Sequence, residues 1–325
     1  MKVPVIICVL AATLGVASTG IAQGFPSKPV TLVVPFAAGG PTDTLARIMS
    51  EPMRQALGQI VVVDNTTGAG GTIATGRVAR AAPDGYTLVI GHWGTHVVNG
   101  AYYTSLKFDL LNDFAPVAMI ASNPQMIVSH LSVPAKNLKE LIPFIRRNQK
   151  DVLIGTGGVG GASHMAGIYF LNRIGATLQF VPYRGGAPAM QALVSGEIAL
   201  YVTQVSSAVG FTRANRVRAY AVTAPNRQEA APEIPTVDEA GLPGLHTAVW
   251  HGIWAPRATP KDIVMKLNAA VVETLSDKPT RARFADLGQE IPAREQQTPE
   301  ALHAHQKAEI EKWWPLIRAA GLKAE

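Results

Sequence analysis

Residues 33–47 read VVPFAAGGPTDTLAR. The β-branched run Val30–Val34 stops at Pro35. Gly39 and Gly40 follow, and a helical pattern starts at Pro41, where a proline's missing N–H costs nothing. Leu45, Ile48, Met49, Met53 and Leu57 share one helical face, and Gly58 closes the helix. Pro52 inside this pattern predicts a kink. A strand joined to a helix through a loop almost without side chains is a building unit of α/β domains. It is also a place where an anion can approach backbone. The glycines present no Cβ, and the helix start carries unpaired N–H groups and a partial positive charge.

The unit recurs at 151–165, DVLIGTGGVGGASHM, where another short strand meets a glycine loop and a helix. Between and beyond these two, strands are expected at 60–63, 86–90, 152–155, 178–182, 198–202 and 216–224. Helices are expected at 72–81, 138–147, 163–174, 187–195, 260–276, 279–287 and 299–319. The apolar stretch APVAMIASNPQMIVSH from Ala115 reads as one strand that changes surroundings midway. Strands alternating with helices predict α/β domains with mostly parallel sheets. Lobe 1 would comprise 25–122 plus 224–325, and lobe 2 would comprise 123–223, with crossing strands near 120 and 222 as the hinge. A third glycine cluster, NTTGAGG at 65–71, either lines the same cleft or permits close helix packing.

The chain has 325 residues, 47% hydrophobic and 16% charged, which suits two folded domains and not disorder. The net charge of +6 is scattered. The densest basic stretch, FIRRNQK at 144–150, is too short and too poor in aromatics for nucleic acid. A diffuse positive field suits a small anionic partner. Lys2, the apolar run Val3–Val16 and the small-x-small triplet Gly20-Ile21-Ala22 predict a signal peptide over 1–22 and export. Cys8, the only cysteine, falls within it, so no disulfide is expected in the rest of the chain.

Other chemistries fit less well. Gly155-x-Gly157-x-x-Gly160 matches a dinucleotide fingerprint, but Val152 to Gly196 holds no Asp or Glu to take a ribose. Ser163-His164 lacks the Gly-x-Ser-x-Gly elbow of a hydrolase, because Met165 stands at the glycine position. His92 and His96 have metal-ligand spacing only on a helix, and Gly94 between them argues against one. No enzyme, metal or cofactor is expected.

With these motifs in view, the sequence resembles the solute-binding proteins of tripartite tricarboxylate transporters, the Bug or TctC-like family. The resemblance runs from Phe25 to Leu322. It is carried by FPSKPV (25–30), VPFAAGGPTDTLAR, GAGGTIATGRVARAAPDGYTL, GTH (94–96), DFAPV (113–117), YRGGAPA (183–189), PTVDEAGLPG (235–244) and WAPRATPKDIVMKLN (254–268). It implies an α/β type II periplasmic-binding fold whose two lobes close on a small carboxylate, and a periplasmic, monomeric protein that serves a membrane permease. The alternatives are a sensory role with the same ligand class and an exported hydrolase.

The resemblance also implies that the ligand is gripped through backbone of Phe36–Asp43 and Thr156–Ser163. The candidate residues are Phe36, Ala37, Ala38, Gly39, Gly40, Thr42 and Asp43, then Thr156, Gly157, Gly158, Gly161 and Ser163. Tyr183 lies at the next strand end, beside Arg184. Thr203 and Gln204 lie in the strand-end segment where the family often carries Asp-Asn. A neutral Thr203 disfavours an amino-acid ligand. His92-Trp93 stand where many members have smaller polar residues. Trp93 either stacks on a planar ligand, such as terephthalate, or packs beneath the loop. Asp43 either caps its helix or faces the ligand.

Overall fold

The computed structural model describes residues 24–319, 321 and 323; the expected signal peptide and Cys8 lie outside them. The opening strand–loop–helix unit forms as its sequence predicts. Strand β1 (Val30–Val34) leads into helix α1 (Pro41–Leu57), which runs unbroken through Pro52. Leu45, Met49 and Met53 are buried, and Gly58 ends the helix with a left-handed φ of 70° and an N–H bonded to the Arg54 carbonyl. Strands β2 (Val61–Asn65) and β3 (Thr87–His92) flank β1 in parallel, and α2 (Thr72–Ala79) links them.

The Ala115 stretch forms β4 (Phe114–Ser129), a single strand of 16 residues. Its first part pairs antiparallel with β9 (Ala248–Pro256), which pairs in turn with β3. Its last five residues pair with β7 (Leu200–Gln204) and β8 (Arg218–Val222). β7 continues in parallel through β5 (Leu153–Thr156) to β6 (Gln179–Pro182). One strand therefore serves two α/β halves. The halves have separate cores, one around Leu32, Ile90, Ile120, Ile253 and Leu267, the other around Ile154, Leu141, Phe170, Val202 and Tyr220.

Three segments meet at the boundary and bind each other. The Thr223 N–H donates to the Gln125 carbonyl (2.7 Å), the Gln125 N–H to that of Thr247 (3.3 Å), and the Thr247 N–H to that of Thr223 (3.1 Å). Residues after β8 bury Ala231, Ile234, Val237 and Leu245 with the second half. We therefore propose that the chain returns to the first lobe near 246–248, where β9 begins, and not at 224.

Several elements were not expected from sequence. β9 is buried on both faces between β3 and β4, so it lacks alternation, and His251-Gly252 interrupt its apolar run. A π-helical turn, Gly94–Val98, runs into α3 (Asn99–Tyr102), so Gly94 does not block a helix. Helix α7 (Val205–Arg213) follows β7 directly; Gln204 does not cap it, and the Ser206 N–H of its first turn donates to Asn123 Oδ1 at 3.1 Å.

Candidate functional site

Helix α1 begins after Gly40, and α5 (Ala162–Arg173) begins after Gly161. The two glycines have nearly the same extended geometry, φ −80°, ψ 171° and φ −73°, ψ 171°, and neither helix has a side-chain cap. The first backbone bonds run from Thr44 to Gly40 (2.9 Å) and from Met165 to Gly161 (3.0 Å). The N–H groups ahead of them have no intrahelical acceptor. Helix α6 (Gly186–Ser195) starts beside them, and α7 starts after Gln204. Of the helices remote from this place, α4 (Leu138–Arg147) and the helix Lys278–Asp286 are capped by Asn137 and Asp277, while the helix Lys261–Ser276 has no side-chain cap.

Four helix starts thus surround one cavity, through Pro41, Thr42, Gly161, Ala162, Ser163, Gly186 and Gln204. The cavity has a volume of ≈ 40 Å³, room for about three waters. Among the described residues none of its lining side chains is ionised, and the helix starts bring the positive ends of their dipoles to it. Burial lowers the His92 pKa to about 4, so the ring is neutral. Its Nδ1 accepts from the N–H groups of Gly94 (2.9 Å) and Thr95 (3.4 Å), which leaves the proton on Nε2. His92 stacks on Phe36 with centroids 4.8 Å apart. His251, also held neutral by burial, pairs its Nε2 with the Thr42 hydroxyl at 3.2 Å. Burial raises the Tyr201 pKa, against hydrogen bonds with Thr203 and Ser163, so it keeps its phenolic proton. Both amide atoms of Gln125 and Oε1 of Gln204 are buried without a protein partner. A neutral cavity rimmed by helix starts and unpartnered amides can bind an anion.

The family profile described as tripartite tricarboxylate transporter family receptor matches residues 45–322. The chain belongs to this receptor family. A UPF0065 protein of Agrobacterium vitis is 39% identical over 299 residues, 92% of this chain and 86% of its own length. The periplasmic binding protein BugD superposes with a TM-score of 0.89 at 38% identity, covering 92% of this chain and 100% of BugD. MatC from Rhodopseudomonas palustris, solved with bound malate, gives 0.87 at 39% identity, covering 90% and 100%. The receptor has the expected periplasmic-binding fold, and it is a binding protein, not an enzyme.

In this receptor, Phe36, Thr42, His92, Gly157, Gly161, Ser163, Thr203 and Gln204 line the central cavity together. The other candidates lie around it. Asp43 turns to its own loop and accepts from the Gly39 N–H at 2.7 Å, so that N–H is occupied. Gly40 caps α1, the Ala37 N–H donates to the Arg184 carbonyl across the halves (3.2 Å), and Ala38 is exposed. Thr156 ties the second loop through the Gly158 carbonyl (3.0 Å) and the Ser163 hydroxyl (3.2 Å). Gly158 and Tyr183 line a neighbouring cavity of ≈ 210 Å³ with Gly68–Gly71, so the third glycine cluster faces the seam between the halves. The Tyr183 hydroxyl bonds Glu197 (2.8 Å), and Arg184 is exposed. Trp93 packs edge-on against Trp313, with centroids 5.0 Å apart, outside the central cavity.

Sequence reasoning did not select Gln125, Tyr201, Gly186 and Val249, which also line the receptor's cavity. Tyr201 was within reach, because it lies two positions from Thr203 and residues i and i+2 of a strand share a face. Gly186 sits in the quoted YRGGAPA motif. Gln125 and Val249 carried no local signal, since their position depends on β9 and the hinge.

Proposed function

We propose that this chain is a periplasmic receptor that captures a small organic carboxylate between its two lobes and hands it to the permease of a tripartite tricarboxylate transporter. The observation that carries this reading is the meeting of four helix starts at a cavity without an ionised side chain. A carboxylate there is met by backbone N–H groups and helix dipoles, with Thr42, His92, Ser163 and Tyr201 as neutral donors. Micromolar binding needs about 8 kcal/mol. One helix terminus contributes about 0.3–1 kcal/mol, rising to about 2 when partly buried. The remainder comes from hydrogen bonds strengthened when the lobes exclude water.

The malate bound to MatC supports the same ligand class. The stacked Phe36–His92 wall suits a planar body, and aromatic acids such as terephthalate belong in the test set. Export rests on the signal peptide expected from sequence at 1–22, and delivery to a permease rests on family membership. Calorimetric titration of the purified protein with mono- and dicarboxylates and their methyl esters tests the binding reading. Saturable binding of at least one acid, lost on esterification, is expected. Equal binding of ester and acid, or no binding by any acid, overturns it. Loss of uptake of that acid on deleting the gene tests delivery.

A further inference from the structure

The central cavity has room for about three waters, enough for a carboxylate on a short chain, so the body of a longer ligand must lie beyond it. Gln125 marks one exit. It lines both the central cavity and a second pocket of ≈ 160 Å³. Trp93, Trp313 and Ile317 of the first half face Met165, Ile168 and Tyr169 of the second across this pocket. Its wall is carbon except at a few points. Among the described residues no Lys, Arg or His lines it. The turn that starts at Gly94, next to Trp93, has its first N–H bonded to His92. A second carboxylate would find no counter-charge.

The polar groups present are neutral and unpartnered. Gln125 is 1% exposed, and neither amide atom bonds to protein; Trp93 Nε1 is buried and unbonded as well. The Gln125 backbone is fixed by Thr223 and Thr247, while its side chain can swing without breaking a hydrogen bond. The other neighbouring cavities differ in chemistry. One is floored by glycine backbone beside Arg184, and the other is lined by Arg213, Arg216 and Arg283 together with Asp286.

We infer that the ligand is a monocarboxylate with an aromatic or aliphatic body that passes Gln125 into the Trp93–Met165–Trp313 pocket. This rests on the carboxylate reading of the central cavity. It narrows the class, because the far end of the ligand is uncharged and terephthalate becomes a weak ligand. A neutral acceptor on that end, such as a carbonyl or ether oxygen, meets Trp93 Nε1 or the Gln125 amide.

Calorimetric titration of the purified protein with propanoate, 3-phenylpropanoate, adipate and terephthalate tests this. 3-Phenylpropanoate is expected to bind about tenfold or more tighter than each of the other three, from burial of its ring. Ala166→Leu, which narrows the pocket, is expected to lower the ratio of 3-phenylpropanoate to propanoate affinity about tenfold. The ligand series on the unaltered protein stands even if that variant does not fold. Adipate or terephthalate binding as tightly as 3-phenylpropanoate overturns the inference and leaves the carboxylate reading intact. Failure of every acid to bind overturns both.

Discussion

The Asp43 carboxylate accepts a hydrogen bond from the backbone N–H of Gly39 at 2.7 Å, inside the loop that rims the cavity. It also accepts from Arg47 Nε (2.9 Å) and Asn65 Nδ2 (3.0 Å). Burial by itself raises the pKa of this carboxyl, but the bonds from Arg47, Gly39 and Asn65 outweigh it and hold the group below the usual carboxylate range. An acid beside a proposed carboxylate site is therefore tolerated, because its charge is turned onto its own loop. Asp43→Ala leaves the Gly39 N–H and the Asn65 amide short of an acceptor and is expected to lower stability by about 1–3 kcal/mol. Urea unfolding measures it, and an unchanged midpoint would mean that Asp43 does not hold the loop.

The two halves touch through a hydrogen bond from the Tyr103 hydroxyl to the Val159 carbonyl at 2.8 Å. The bond exists only when the lobes are together. Tyr103→Phe removes it without changing ring packing. Loss of about 0.5–1.5 kcal/mol from the closed state should speed ligand release between roughly twofold and tenfold. Stopped-flow displacement reads the rate, and no change would show that this bond does not hold the lobes closed.

Gly94 leaves no room for a methyl group. A Cβ there would stand 2.9 Å from the backbone nitrogen of Ala162 in the other half and 2.7 Å from the His92 ring. Gly94→Ala is expected to wedge the lobes apart and weaken ligand binding. Small-angle scattering should show the unaltered protein compacting when saturated with a bound carboxylate, and the variant compacting less. Equal compaction of the two would remove the wedge account. No compaction of either would count against lobe closure itself.

Acid should destabilise this protein through its buried imidazoles. Burial lowers the pKa values of His92 and His164 from 6.5 to about 4, and pushes those of His96 and His251 down as well. Between 6.5 and about 4 the unfolded chain binds protons that the folded chain refuses. The contribution is complete above the unfolded value and is lost as pH falls through that window. Urea midpoints should therefore drop from about pH 7 to about pH 5, and His92→Gln should reduce the drop. A flat profile over that range would contradict the neutral, buried state of these rings.

Much of the fold is legible in short stretches. Val30–Val34, Pro41–Leu57 and Leu138–Arg147 have the predicted limits, since β-branched runs, helical periodicity, a proline at the first turn and a closing glycine act within a few residues. The two glycine loops were legible for the same reason: Gly40 and Gly161 precede helices that no nearby side chain can cap. β9 was not legible. Buried on both faces, it has neither alternation nor an unbroken apolar run, and its place depends on β3 and β4.

The sequence by itself determined that this chain builds strand–glycine loop–helix units whose first turns expose N–H groups, because backbone conformation and capping are local. Only the tertiary structure decided which of those groups share a cavity, that Asp43 turns onto Gly39, and that Gln125 stands unpartnered between two pockets. Whether a polar group finds a partner depends on residues brought close by folding, and Gln125 meets Thr223 and Thr247 only at the hinge.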